Sequence, residues 1–464
     1  MSGGLWRGLG LVVLALVGAG EMLVAGERTD VRGMGMARTH TAVSRGLDAV
    51  GTNPANLAIS DGGTVTIALF PLGAHLGSDV LSYDLYTRYF SGIETDSGRV
   101  GVNLSDADKQ RILGRFTDGL GRGQADLEAR PLGLSLALGE AGTFALTMTE
   151  RVSGRVTIPR EYIEFLFYGN PPGSTYEFQG GEGSVAWTRE YAISYARALP
   201  EIPLFQSWQG GISVKLVQGI GYAGVDHFRA FLATSPVGVL DGTIDVLTRR
   251  AGLDLEGDDP VQTPFPSPAG SGFGVDLGLS GSLNGVVSLG LSVTDIGSVR
   301  WKRGLQKTVR SGSVHLENPF EEGERDSLDR ALRGETQAGE PFTTSLPATL
   351  HLGAAVELHR LPWFQEIMGG EMTVGVDFAQ GLVRVPGGTL VPRGSLGCEY
   401  RPWRVLPIRA GISFGGTDGV NGALGIGLHL GVWDLDLATE NLGWIFTPNS
   451  AAYGSIALGM RVRI

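Results

Sequence analysis

Hydrophobic and polar residues alternate strictly along several stretches of this chain, which is the period of a β-strand. The clearest stretch places Phe273, Val275, Leu277 and Leu279 on one face and Gly274, Asp276, Gly278 and Ser280 on the other. The same alternation recurs at 287–294, 372–379 and 424–430. Because only one face of each stretch is apolar, we expect each strand to separate an apolar environment from a polar one.

Fourteen such segments can be traced, and the connections between them differ in length. The predicted strands span 64–72, 126–139, 142–158, 183–198, 208–225, 270–281, 285–303, 348–359, 370–382, 393–402, 405–415, 420–430, 432–440 and 453–464. Long connections at 226–269 and 304–347 alternate with short turns such as 140–142. This alternation and the long strands are typical of membrane barrels. The sequence therefore predicts an all-β fold, a transmembrane antiparallel up-and-down β-barrel of about fourteen strands.

The N-terminus has a different pattern from the rest of the chain. Arg7 precedes an apolar run from Leu9 to Gly20, and Val24 and Gly26 place small residues before a potential cleavage site at Glu27. The run is too short to cross a bilayer, and this order of features is typical of a secretory signal peptide. We expect residues 1–26 to be a signal peptide, residues 27–62 to precede the barrel, and residues 63–464 to form it.

Composition narrows the class of protein further. Hydrophobic residues make up 42% of the chain and mean hydropathy is +0.08, which suits a barrel whose strands meet lipid on one face only. The net charge of −11 disfavours a nucleic-acid partner, which would require a basic surface. The single cysteine, Cys398, excludes an intramolecular disulfide. Tryptophans near predicted strand ends suggest interfacial girdles: Trp187, Trp208, Trp301, Trp363, Trp403, Trp433 and Trp444.

Charged side chains occupy the faces opposite the apolar ones. A charge at the lipid midplane costs about 2–4 kcal/mol, so we expect these residues to face the lumen. The predicted set is Asp276, His351, Glu357, Asp377, Glu399, Arg409, His429, Asp434, Asp436, Arg461 and Arg463. Such groups can bind the polar part of a substrate, or pair with one another and with whatever fills the lumen, since buried charges need partners.

Motifs for catalysis, phosphate binding and metal binding are absent from the sequence: there is no G-x-S-x-G, H-E-x-x-H, P-loop or EF-hand loop. We therefore expect neither an enzyme, nor a metal site, nor a cofactor.

Residues 31–60 lack strand alternation and carry three short motifs. They have the form G-M-G-x-A, then A-x-x-x-G-x-D-A, then N-P-A-x-L-A, in Gly33, Met34, Gly35, Ala37, Ala42, Gly46, Asp48, Ala49, Asn53, Pro54, Ala55, Leu57 and Ala58. This segment resembles the N-terminus of the FadL-type transport barrels and of the PorV-like proteins of the same superfamily. The resemblance implies a hatch inside the lumen, with turns at Gly33, Gly35, Gly46, Asp48, Asn53, Pro54 and Ala55. A plain turn into the first strand is the alternative interpretation of Asn53 and Pro54.

Two functions follow from the resemblance, both in the bacterial outer membrane and in contact with its lipid. FadL-type barrels imply uptake of hydrophobic small molecules, with capture by apolar loops, movement of the hatch and lateral exit through the wall. PorV-like proteins imply a surface scaffold that handles or anchors secreted proteins. The loops carry predicted helices after an N-cap at Ser105, at 160–168 and at 324–333, and their apolar residues favour small hydrophobic ligands.

Overall fold

The computed structural model describes residues 30–95, 98–100, 103–203, 205–252, 266–317, 332–386, 388–447 and 451–464. The expected signal peptide, most of the predicted helix at 324–333 and part of the Pro-rich stretch at 258–272 lie outside these residues.

Strands dominate the described part of the chain. In chain order they are β1 (Val65–Ala68), β2 (Leu72–Ser78), β3 (Ile93–Thr95), β4 (Gly98–Val100), β5 (Leu120–Ala137), β6 (Thr143–Pro159), β7 (Thr175–Gln179), β8 (Glu182–Ala198), β9 (Ser207–Thr234), β10 (Leu240–Ala251), β11 (Gly270–Leu283), β12 (Val287–Trp301), β13 (Gln306–Leu316), β14 (Glu335–Ala338), β15 (Phe342–Ser345), β16 (Thr349–Glu357), β17 (Glu371–Gly381), β18 (Arg393–Arg401), β19 (Ile408–Gly415), β20 (Gly419–Leu430), β21 (Trp433–Glu440) and β22 (Tyr453–Arg463).

Fourteen of these strands form one closed antiparallel wall, in which β1 and β2 together count as a single interrupted strand. The others are β5, β6, β8, β9, β11, β12 and β16 to β22. The last strand returns to the first, with Thr66 opposite Arg463 and Leu72 opposite Leu458. The predicted fold class is therefore confirmed, because each predicted strand corresponds to one strand of this wall.

The two rims of the barrel differ as the connection lengths predict. Short connections, including 138–142, 284–286, 402–407 and 431–432, lie at one rim, the turn end. The longest connections lie at the other rim, the loop end, which also carries the short connection at 416–418. Since the number of wall strands is even, the luminal segment enters at the turn end and the chain finishes there.

Apolar side chains cover the outside of the wall. Ile193, Val214, Phe273, Val376 and Ile456 each expose half or more of their surface, and leucines on every second position continue the belt. None of the described helices is long and apolar enough to span a membrane.

The loop end carries a sheet that the sequence did not predict. Beyond the wall, β9 continues to Thr234 and pairs with β7 and β10, β10 pairs with β13, and β13 pairs with β14. The connections predicted at 226–269 and 304–347 therefore contain paired strands. Trp301 does not belong to a lipid-facing girdle: it is fully buried and packs on Tyr222 and Phe342.

Helices are short. They are α1 (Val31–Gly35), α2 (Tyr83–Leu85), α3 (Asp106–Leu113), α4 (Arg160–Tyr168), α5 (Pro362–Ile367) and α6 (Gly443–Phe446). Two predicted loop helices are present: Ser105 begins α3 with a reciprocal capping box to Asp108, and α4 spans the predicted 160–168.

Candidate functional site in the barrel lumen

Residues 30–62, the luminal segment, lie inside the barrel. They contain α1 and two short 3₁₀ helices, Gly46–Ala49 and Pro54–Ala58. Nearly every residue from 31 to 57 is buried, although the segment has no strand of its own. The segment packs against the inner faces of the wall strands and fills the lumen as a compact irregular body.

Three glycines of the motif residues allow close contacts or a tight turn in the luminal segment. A Cβ on Gly33 would lie 2.2 Å from the ring of His40, and Gly35 lies against the backbone of Gly425 in the wall. Gly46 has a φ of +53° and faces Asp61. Immediately after Gly35, Ala37 and Arg38 both have positive φ, at 51° and 64°, which is uncommon for residues with a side chain.

The N-P-A motif fastens the luminal segment to the wall and to itself. The side-chain amide of Asn53 donates to the carbonyl of Thr41 at 3.0 Å and to that of Leu279 in β11 at 3.2 Å. Its side-chain oxygen accepts from the backbone of Ala55 and caps the second 3₁₀ helix, which starts at Pro54. Asn53 therefore does more than form a turn into the first strand.

Glycines on the inner face of the wall receive the backbone of the luminal segment. A Cβ on Gly211 would lie 2.3 Å from the Pro54 carbonyl carbon, one on Gly290 would lie 2.4 Å from the Thr41 oxygen, and one on Gly411 would lie 2.4 Å from the Met36 carbonyl carbon. Such approaches exclude any larger residue. Part of the glycine excess in this sequence is therefore a docking surface for residues 36–55.

Among the residues that the structure describes, four ion pairs join the luminal segment to the wall. They are Arg32 with Glu399 at 2.9 Å, Arg38 with Glu440 at 2.8 Å, Arg45 with Glu357 at 2.9 Å, and Asp48 with Arg461. The Arg38 pair is the most buried, with 5% and 2% of the side-chain surfaces exposed. Three of the wall partners, Glu357, Glu399 and Arg461, belong to the predicted lumen-facing set.

Asp377 in β17 binds the luminal segment without a cation. It accepts hydrogen bonds from the backbone of His40 at 3.1 Å, the backbone of Thr41 at 2.7 Å and the Thr41 hydroxyl at 3.0 Å.

The ring of His40 lies 2.9 Å from Asp30, whose carboxylate also caps α1. Burial lowers the pKa of His40, but the carboxylates of Asp30 and Asp377 outweigh burial and hold this pKa above its usual value.

The remaining predicted lumen-facing residues pair mainly with one another. Arg409 bridges Glu399 at 2.6 Å and Asp436 at 2.7 Å, while Arg463 binds Asp434 at 2.6 Å. His429 lies beside Asp434 and Asp436. On the other side of the lumen, Asp276 is paired with Lys215, and His351 contacts the Thr294 hydroxyl.

Several charged residues of the lumen were missed from the sequence. Arg38 and Glu440 were not singled out, nor was the cluster of Lys215, Asp295 and Arg151. Alternation within 208–225 and 432–440 places Lys215 and Glu440 on the polar faces, so that signal was available. Alternation does not predict the direction of Asp295, because this residue has a φ of 56° and lies where the register between β11 and β12 shifts.

A cavity of about 480 Å³ lies between the luminal segment and the loop end. Its lining is rich in charge, with arginines from the luminal segment, from the wall and from the connection between β17 and β18. A second cavity of about 50 Å³ shares Arg38, Thr389 and Arg393 with the first and reaches His40 and Thr52. The two cavities therefore extend from the loop end towards the top of the luminal segment. Among the described residues, no group of His, Cys, Asp and Glu is arranged to hold a metal ion.

Comparison with solved structures identifies the fold. A "TodX deltaS2S3 mutant monoaromatic hydrocarbon channel" matches with a TM-score of 0.50 and 13% identity, over 94% of this chain and 98% of that one. The toluene transporter TbuX of Ralstonia pickettii matches with 0.47 and 12% over 95% and 99%, and a FadL homologue of Pseudomonas aeruginosa with 0.47 and 12% over 95% and 100%. The expected resemblance to FadL-type barrels is confirmed at the level of the fold.

Sequence comparison gives a family without a function. No curated protein matches this chain. The model of a family described as "Family of unknown function (DUF5723)" matches residues 54–439, which covers the end of the luminal segment and nearly all of the wall. This chain therefore belongs to the DUF5723 family and has the fold of the monoaromatic hydrocarbon channel.

Proposed function

We propose that this protein is an outer-membrane channel that takes up small molecules, and that the luminal segment controls their passage. The observation that carries the proposal is the order of features along the barrel axis: an open cavity at the loop end, then a body that fills the lumen. A cavity of about 480 Å³ lies within the range of small-molecule sites. Passage beyond it requires the luminal segment to shift.

Location in a membrane is supported by the outer face of the wall. A continuous belt of exposed leucine, isoleucine, valine and phenylalanine would be unfavourable in water and is favourable in lipid. The closed wall leaves no strand edge unpaired, as lipid requires. The expected signal peptide and the family of structural neighbours support the bacterial outer membrane in particular.

Hydrophobic cargo is the class that the fold suggests, and an aromatic group at the loop end supports it. Phe165 of α4 packs edge-on against Tyr176 and Phe178 of β7, and Tyr162 packs against Phe178. The side chains from 160 to 168 remain partly exposed. Such a surface suits first contact with an apolar molecule arriving from outside.

Exit through the side of the wall is supported by a weak point near mid-barrel. The first wall strand is interrupted at 69–71, where Phe70 has a φ of 50°, and β5 shifts register between Ala129 and Leu132. Pro71 and Pro131 flank this point, and neither can donate a ladder hydrogen bond. A cavity of about 40 Å³ lies between the luminal segment and this part of the wall.

Transport assays on proteoliposomes test the proposal. Vesicles containing the purified mature protein should take up small organic solutes faster than vesicles without protein. A Gly411→Ala variant, which crowds the docked segment, should change the rate. Equal uptake with and without the protein would reject the channel function.

A scaffold for secreted proteins is the second candidate, because the loop-end sheet offers a protein-sized surface. Its strand β14 is exposed along its whole length and lies next to β13 at the edge of the described sheet. Such an edge suits pairing with an extended segment of another protein. Capture of a defined secreted protein by the intact barrel, abolished by Thr336→Pro in β14, would favour this role over transport.

A further inference from the structure

Many charged groups surround the 480 Å³ cavity, and this sets it apart from a site lined by apolar side chains alone. Five arginines line it, namely Arg38, Arg122, Arg155, Arg384 and Arg393, together with four carboxylates. An apolar molecule placed there would strip water from these groups without replacing their hydrogen bonds, which is unfavourable. The class of ligand must therefore supply polar contacts of its own.

The carboxylates of the lining are largely engaged by protein. Glu440 takes two hydrogen bonds from the guanidinium of Arg38, each at 2.8 Å. Asp418 accepts from Gln124 at 3.0 Å and from Asn441 at 3.2 Å, and lies 3.5 Å from His75. Burial raises the pKa of Asp418, but His75 outweighs it and lowers this pKa to about 2, so Asp418 stays ionised. These acids are therefore poorly placed to attract a cationic ligand.

Two arginines at the side of the cavity nearest the loop end can still bind an anion. Arg155 and Arg384 share one oxygen of Glu182, at 3.8 and 3.2 Å, and Arg155 also donates to the carbonyl of Gly388 at 3.3 Å. Each guanidinium has five N–H donors in a fork that fits a carboxylate. A single carboxylate oxygen between two guanidinium groups leaves N–H donors and positive charge for a second acid.

From this geometry we propose that the cavity is a recognition site for the acidic group of a small organic acid, held by Arg155 and Arg384. The proposal rests on the proposed function and narrows its substrate class to a compact molecule that carries a carboxylate beside an apolar part. The ligand's carboxylate supplements Glu182 between the two guanidinium groups.

Four probes that share one ring and differ in the attached group test the proposal: benzoate, benzamide, benzylamine and toluene. Binding to the full mature protein in detergent is measured by calorimetry. Benzoate should bind at least ~10-fold more tightly than the other three, the scale of one charge-assisted contact. Toluene binding as tightly as benzoate would overturn the proposal.

Three variants separate recognition from a structural effect. The Arg155→Gln/Arg384→Gln double variant should weaken benzoate at least ~10-fold and leave toluene unchanged. The matched control Arg88→Gln, on an exposed loop helix, should change neither. Glu182→Gln removes the carboxylate that both guanidinium groups share and should strengthen benzoate binding, which a purely structural role of the arginines does not predict. Unchanged benzoate affinity in both cavity variants would overturn the proposal.

Uptake into proteoliposomes distinguishes this inference from the channel function. If benzoate binds with the expected preference but no probe enters, the recognition site stands and the channel function fails. If toluene enters faster than it enters vesicles without protein, and benzoate neither binds nor enters, the channel stands and the proposed substrate class is wrong.

Discussion

Arg38 of the luminal segment and Glu440 of the wall form a doubly hydrogen-bonded ion pair between residues 402 positions apart in the sequence. Both side chains are almost completely buried. Arg38 also has a left-handed backbone and lines the cavities of about 480 and 50 Å³. The pair therefore joins three features: the fold of the luminal segment, its attachment to the wall and the floor of the cavity.

Glu440→Gln should loosen the luminal segment. Removing one partner of a buried pair leaves the other charge uncompensated, which costs about 3–5 kcal/mol. We expect faster proteolysis within residues 30–62 and a higher conductance in planar bilayers, with the barrel still intact. Glu366→Gln, an exposed change in α5, serves as the control; equal protease sensitivity of the two variants would contradict the role of Glu440.

Adding one methyl group to a wall glycine that contacts the luminal segment should also loosen the segment. A Cβ on Gly397 would lie 2.6 Å from the Met36 oxygen, whereas a Cβ on Gly394 of the same strand would meet nothing within 4 Å. Gly397→Ala should destabilise the docked segment by about 1–3 kcal/mol through overpacking, and Gly394→Ala should not. Hydrogen exchange at residues 36–41 measures this difference. Equal protection in both variants would mean that the segment is not pressed against the wall there.

The His40–Asp30 contact should make docking of the luminal segment depend on pH. Because its pKa is raised in the folded state, His40 contributes stability below its unfolded pKa of about 6.5, and this contribution is lost as pH rises through the folded value. Asp30, with its pKa lowered by His40 against the effect of burial, contributes above about 3.9 and loses that contribution in acid.

Protease sensitivity of residues 30–62 should therefore rise as the pH increases through the folded-state pKa of His40. The groups around His40 are Asp30 and Arg38 in its own segment, Asp377 in β17 and His351 in β16. A His40→Gln variant should lose the alkaline change. An unaltered pH profile in this variant would assign the titration to another group.

The interruption at 69–71 gives a separate prediction about exit through the wall. A Pro71→Ala/Pro131→Ala double variant restores two backbone donors and should let the first wall strand pair more regularly with β5. Protein-dependent uptake of small organic solutes should then fall, while ion conductance through the lumen stays unchanged. Pro200→Ala, in a turn outside the wall, is the matched control. An equal fall in both quantities would argue against a side exit.

Strand alternation predicted the wall well because lipid on one side and a polar lumen on the other impose a two-residue period on every strand. The luminal faces of Asp377, Glu399 and Arg461 followed directly from that period. The partners of these residues could not be read in the same way: Arg38 lies in a segment without periodicity, where turns rather than alternation decide which way a side chain points.

The loop-end sheet was missed for a related physical reason. Residues 226–234 and 240–251 are only partly buried and carry charges such as Asp241 and Asp245 on the exposed side, so their pattern resembles a polar loop. Trp301 was assigned to a girdle from its position at a strand end. Its burial depends on Tyr222 and Phe342, which come from distant parts of the chain.

A reversible lock between the luminal segment and the wall tests the central claim most directly. The hydroxyls of Thr39 and Ser395 lie 2.9 Å apart, so a Thr39→Cys/Ser395→Cys protein, with Cys398→Ser, can carry a disulfide across this contact. Uptake by proteoliposomes is measured before and after reduction. If the luminal segment controls passage, the oxidised protein should be inactive and reduction should restore uptake. Equal uptake in both states would show that solutes pass without movement of the segment at this contact and would contradict the account.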